Sequence, residues 1–194
     1  MKPFFYKNLY FLIKIYHTIL AFLGAIVFRF PSRKIYVVGV TGTKGKSTTL
    51  ELIVVILEEA GLQVAVSSSI RNGESAMTMP GRFFLQRFLR QAVNDGYKYA
   101  LIEVTSQGIL QNRHRFIDWD AAIFTNLAPE HIEAHGSFEK YREAKLDFFK
   151  YVARRKFSIF NFPARLAPLV KAGKQFLNKS QKAKFKKFFI NKDD

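Results

Sequence analysis

The stretch Lys34-Ile-Tyr-Val-Val-Gly-Val-Thr-Gly-Thr-Lys-Gly-Lys-Ser-Thr-Thr49 limits what this chain can fold into more than any other. An apolar, β-branched run empties into a glycine-punctuated loop and then into a helical pattern, which is a strand, a phosphate-binding loop and a helix in order. Gly42 and Gly45 let backbone N–H groups turn toward an anion. Lys46 adds a point charge for β/γ-phosphates, and Ser47 offers a hydroxyl to Mg²⁺ at a helix N-terminus. The general pattern G-x-x-x-x-G-K-[ST] asks for glycine at position 40, where this chain has Val40, with Gly39 one residue early. The loop points to a nucleotide and does not say which base.

The 194 residues hold one full domain and an extra segment, and 48% apolar with 24% charged residues is a globular composition. The absence of cysteine removes disulfides and thiolate metal sites together and fits a reducing compartment. A formal net charge of +16 calls for an anionic partner: nucleotide, phosphorylated substrate, membrane surface or nucleic acid.

From Leu9 to Phe30 the chain is almost wholly apolar, broken by Lys14 and His17 and flanked by Lys2, Lys7, Arg29, Arg33 and Lys34. It has no small-residue cleavage site, so it is not read as a signal peptide. The uninterrupted run from Thr18 to Phe28 is shorter than the roughly 20 residues that a span requires. An embedded or interfacial helix and a core or partner-facing helix both stay open for this stretch, and Pro31-Ser32 ends it. Residues 1–31 are therefore taken as an apolar, possible membrane-contacting helix ahead of a domain at 32–194.

Beyond the loop, the pattern predicts a helix over 47–60 with Leu50, Ile53, Val54 and Leu57 on one face, then a strand at 62–66. Residues 67–81 read as irregular, 83–94 as a helix stopped by Asp95-Gly96, and 97–104 as a buried strand. Strands at 120–126, 156–160 and 185–190 and a helix at 137–152 complete the alternation. The fold class is α/β, a mostly parallel sheet covered by helices on both faces. Lysines and aromatics share a helical period from Lys171 to Lys187, read as a solvated amphipathic helix, with no nucleic-acid partner expected.

Glu103-Val-Thr-Ser-Gln-Gly108 puts a carboxylate and the hydroxyls of Thr105 and Ser106 at the C-terminal edge of a strand, where open α/β sheets bind ligands. A second group, Thr125 to Gly136, carries His131, Glu133 and His135. Two histidines four apart suit one helix face, but zinc lacks a third ligand here, and a Mg²⁺ role beside Ser47 and Glu103 is the better reading.

These three motifs, in this order from about Lys34 onward, resemble the central ATP-binding domain of the Mur ligases, with the muramoyl-tripeptide synthetase branch nearest. The resemblance implies that Gly42, Thr43, Lys44, Gly45, Lys46, Ser47 and Thr48 hold the ATP phosphates, with Asn126 also at the nucleotide, and that Ser47 and Glu103 are metal ligands. It implies His131 and Lys145 as ligands of a second Mg²⁺, Lys145 as a carbamylated lysine fourteen residues after that histidine. Lys46, His131 and Lys145 are the catalytic set so implied. Thr78, Thr105, Ser106, Gln111 and Arg113 fall where the family contacts its UDP-muramoyl-peptide. The chain departs from the family at Gln107, where a histidine is usual, at Glu130 and Glu133, where aspartates are usual, and at Met79, where a threonine is usual.

The implied activity is ATP-dependent amide ligation through an acyl phosphate in peptidoglycan precursor synthesis, in the cytoplasm, with attachment to the membrane's cytoplasmic face left open. No general base for the amine is visible. The family also carries an N-terminal uridine-nucleotide domain and a C-terminal amino-acid domain, so this chain reads as a truncated piece that binds nucleotide and ligates little, with the missing domains coming from a longer chain or a partner subunit. Two rivals stay open: a non-catalytic, membrane-attached nucleotide-binding module, and a GTPase suggested by Asn191-Lys-Asp-Asp194 although no Asp-x-x-Gly occurs in the chain.

Overall fold

The computed structural model describes residues 2–72, 77–130 and 135–156, with side chains from residue 11 to residue 154. In chain order these form α1 (Lys2–Val27), a 3₁₀ turn (Pro31–Arg33), β1 (Tyr36–Thr41), α2 (Lys46–Glu59), β2 (Val64–Ser67), α3 (Arg82–Asn94), β3 (Tyr99–Glu103), α4 (Ser106–Leu110), β4 (Ala121–Phe124) and α5 (Phe138–Lys156). The strands expected at 156–160 and 185–190 and the helix expected at 171–187 lie outside the described residues, except Lys156, which ends α5.

The four strands form one sheet in the order β2-β3-β1-β4, and all three pairings are parallel. Every residue of β1 is buried, as a central strand covered on both faces requires, and its alternation divides the core. Tyr36, Val38 and Val40 face Leu50, Val54 and Leu57 of α2. Val37 faces the other way, into a cluster with Leu85 and Leu89 of α3, Trp119, and Phe148 and Val152 of α5. The expected helix face on α2 is present, with Ile53 packed at its edge.

Gly39 belongs to this packing and not to the loop. A Cβ there would lie 2.6 Å from the Phe148 ring and 2.9 Å from Trp119, so β1 needs glycine where two aromatic side chains press on the strand. Position 40 then takes valine because its side chain points into the α2 core, fully buried.

α1 is continuous through Lys14 and His17 and docks on α3. Ala21 and Ala25 are buried against the domain, a Cβ on Gly24 would lie 3.5 Å from the Arg82 carbonyl, and Arg90 Nε donates to the Phe28 carbonyl at 2.9 Å. Asn112, at φ 55, donates from Nδ2 to Thr18 Oγ1 at 2.8 Å and so ties α1 to the turn after α4. No helix among the described residues is long and apolar enough to cross a membrane.

Candidate functional site

The parallel register explains why distant residues meet. Val40 pairs with Glu103 and Thr41 with Phe124, so the loop after β1, the end of β3 and the segment after β4 emerge side by side at one sheet edge. Here β1 lies between strands reached in opposite directions, the switch point where open α/β sheets take ligands.

Two glycines shape the loop. Gly42, at φ 154, has Thr125 Oγ1 only 1.8 Å from where a Cβ would be, and Gly45, at φ 75, starts α2 in the left-handed region. Asn126 clamps the loop from β4: its carbonyl accepts from Thr43 N and its Oδ1 from Lys44 N, both at 2.9 Å. Thr43 Oγ1 is 3.0 Å from Tyr141 Oη and accepts from Ala128 N at 2.9 Å. Lys46 Nζ curls back to the Thr43 carbonyl at 2.8 Å and lies 4.0 Å from Glu103 Oε1. Thr48 stands in the first turn of α2, whose N-terminal amides and dipole attract an anion.

The buried Glu103 carboxylate gathers a set of oxygens. Its Oε2 accepts from Ser47 Oγ at 2.8 Å and from the amide and hydroxyl of Ser69 at 3.1 and 3.2 Å, and the two serine hydroxyls are 2.9 Å apart. A carboxylate with two hydroxyls is the hard-oxygen donor set that suits Mg²⁺, so this corner fits that ion. Among the described residues no cluster of three His, Cys, Asp or Glu side chains suits a metal, and the oxygen set at Glu103 contains one carboxylate.

Lys145, on α5, is 3% exposed, and its Nζ donates to the Gly42 carbonyl at 2.7 Å and lies 4.7 Å above the Tyr141 ring. Burial lowers its pKa from 10.5 to about 7, with the charge of Lys46 adding to the effect and Glu130 opposing it. An amine on the exposed face of a helix would behave as an ordinary lysine; the tertiary fold desolvates this one and lowers its basicity.

The expected substrate contacts form two groups. Thr105 Oγ1 caps α4 by accepting from Gly108 N at 3.1 Å, and Ser106 Oγ is 3.0 Å from His135 Nε2 in a buried pair. Arg113 donates from Nε to Gln111 Oε1 at 3.0 Å and also holds the Met79 carbonyl, placing the 77–80 segment beside the turn after α4. Thr78 is half-buried in that segment, its carbonyl accepting from Asn72 Nδ2 at 3.3 Å. His131 lies outside the described residues and Glu133 with it.

Three contributors went unread in the sequence. Ser69 joins Glu103 from the loop after β2, Tyr141 joins Thr43 from α5, and Arg82 Nε donates to the Gln111 carbonyl at 3.1 Å. Ser69 follows a strand as Glu103 ends one, a position signal of its own; Tyr141 and Arg82 sit on helices with no local mark.

Fold and loop together define a P-loop α/β domain built to hold a polyphosphate. The family described as Mur ligase middle domain matches residues 40–194. The chain belongs to the Mur ligase family. UDP-N-acetylmuramoyl-L-alanyl-D-glutamate--2,6-diaminopimelate ligase of Geobacillus thermodenitrificans is 33% identical over 154 residues, covering 73% of this chain and 32% of that protein. The enzyme of the same name from Chlamydia trachomatis is 32% identical over 167 residues, covering 83% and 33%. A solved structure of a ligase of this name superposes with a TM-score of 0.54 at 31% identity, over 59% of this chain and 24% of that one. The chain thus spans about a third of the curated relatives it matches.

Proposed function

We propose that this chain supplies the ATP-binding part of an ADP-forming ligase that adds an amino acid to a UDP-N-acetylmuramoyl-peptide in peptidoglycan precursor synthesis in the cytoplasm. Residues 32–194 are the nucleotide-binding unit and residues 1–31 its apolar helix. The observation that carries the reading is the meeting of Lys46, Ser47 and Glu103 at the mouth of a glycine loop, with Lys145 buried on the loop's own carbonyl.

In this reading the acceptor's carboxylate attacks the γ-phosphate, forming an acyl phosphate and releasing ADP; an amine then displaces phosphate to form the amide. Phosphoryl transfer asks for alignment and charge neutralisation rather than covalent help from the protein. The amides of Gly45 to Thr48 and the Lys46 ammonium hold and neutralise the phosphates, while Asn126, which accepts from the amides of Thr43 and Lys44, keeps the loop in shape. Ser47 and Glu103 would hold Mg²⁺, which supplies further neutralisation of the phosphate oxygens. Lys145, uncharged in part at neutral pH, is suited to add to CO₂ with loss of a proton, giving a carbamate that would serve with His131 as ligands of a second ion. Gln111 and Arg113, braced by Arg82, and the hydroxyls of Thr78, Thr105 and Ser106 form the acceptor side.

The test is equilibrium binding of ATP to the full chain, with and without Mg²⁺. Mg²⁺-dependent ATP binding that GTP does not displace, and that Lys46→Ala abolishes, is the expected result. Equal competition by GTP, or binding indifferent to Lys46, would overturn the reading.

A further inference from the structure

The polarity of α1 is reversed. Helical steps of 100° put Leu12, Ile15, Ile19, Phe22, Leu23 and Ile26 on one arc of about 100°, and each is 40–60% exposed. The opposite side of the helix, turned to the domain, carries the small and polar residues: His17, Thr18, Ala21, Gly24 and Ala25. A helix on the surface of a water-soluble body buries its large apolar residues and shows polar ones. This helix does the opposite along its described length, and the outward arc holds no charged side chain.

Charge decides what covers such a face. The first 50 residues contain no aspartate or glutamate, and Arg29 and Lys34, both exposed, border the apolar arc at the C-terminal end of the helix. Arg33 stands in the same border, its guanidinium 3.5 Å from Asp118. A second copy packed on this face about a two-fold axis would bring the same basic border against itself, and like charges juxtaposed across an interface are unfavourable. A surface at once apolar and anionic satisfies both features: acyl chains below, anionic headgroups at the rim.

We propose that α1 is an in-plane membrane anchor. It lies along the headgroup–acyl boundary of an anionic bilayer with Leu12, Ile19 and Leu23 inserted and the nucleotide-binding domain mounted on its inward face. No helix among the described residues is long and apolar enough to cross the bilayer. The inference uses no nucleotide chemistry and stands or falls apart from the ligase reading.

The experiment uses the full chain and vesicles of phosphatidylcholine, with and without 30% phosphatidylglycerol, in a flotation assay. The protein is expected to float with the anionic vesicles at least ten-fold more strongly than with the neutral ones. Ile19→Glu/Leu23→Glu, at positions already exposed, is expected to lower that binding at least ten-fold while leaving the circular dichroism and ATP affinity unchanged. Because the chain has no cysteine, Leu23→Cys can carry a single environment-sensitive dye, which should shift to the blue and be quenched by brominated lipid; the same dye on Glu58→Cys, exposed on α2, should do neither. Protein that stays unbound with both vesicle types, or a double variant that floats as the parent does, would overturn the proposal. So would a parent that is dimeric by light scattering, becomes monomeric in the double variant and ignores vesicles, because a second copy would then be the cover.

Discussion

Replacing Lys145 by methionine should remove a pH dependence of stability that few other residues in this protein can produce. The side chain is buried, its amine within 2.7 Å of the Gly42 carbonyl, and its pKa falls from 10.5 to about 7 chiefly through desolvation. A folded-state pKa below the unfolded value means that, between these limits, the unfolded chain binds more protons. Stability therefore rises with pH across the window, and the cost of burying the ammonium is fully present below pH 7. For a shift of this size, linkage puts the gain between pH 7 and 9 at about 2 kcal/mol. His114, whose burial lowers its pKa to about 3, has finished its contribution by pH 7. Tyr99, Tyr141 and Tyr151, raised by burial, act only above their ordinary value near 10. Urea unfolding at pH 7, 8 and 9, in buffer free of CO₂ and divalent metal, reads the effect directly. The parent should gain about 2 kcal/mol and Lys145→Met less than about 0.5. Equal slopes in the two proteins would refute the reasoning, because the titrating group would then lie elsewhere.

Gly39→Ala should destabilise by about 1–3 kcal/mol through overpacking against Phe148 and Trp119. Phe148→Leu in the same chain should recover part of that loss, and a chemical-denaturation cycle showing strict additivity would contradict the contact. Thr105→Ala should cost about 1 kcal/mol by removing the cap on Gly108 N, while Thr105→Ser keeps it; equal stability of the two variants would argue against a capping role. Glu103→Gln should weaken Mg²⁺-dependent ATP binding at least ten-fold and leave Mg²⁺-free binding nearly unchanged, a split that calorimetry resolves. A uniform loss in both conditions would mean that Glu103 shapes the loop instead of holding the ion.

The local chemistry of this chain was legible in its sequence because it depends on neighbours along the chain. A glycine pair, a lysine and a serine after a β-branched run specify a phosphate loop whatever surrounds them, and α2, α3 and β3 appear within a few residues of where periodicity puts them. The resemblance to a family rests on the same local spelling. What the sequence did not disclose depends on approach through space. Gly39 looked like a misplaced loop glycine until Phe148 and Trp119 were seen pressing on β1. Lys145 carries no local mark of its own in the chain, and only the packing of α5 sets it under the loop, where desolvation alters its basicity. Ser69 and Tyr141 joined the site only through strand order and helix packing. The apolar N-terminal stretch was visible from the start, but which of its faces looks outward was decided by docking on α3, which takes the small and polar side and leaves the large apolar one uncovered.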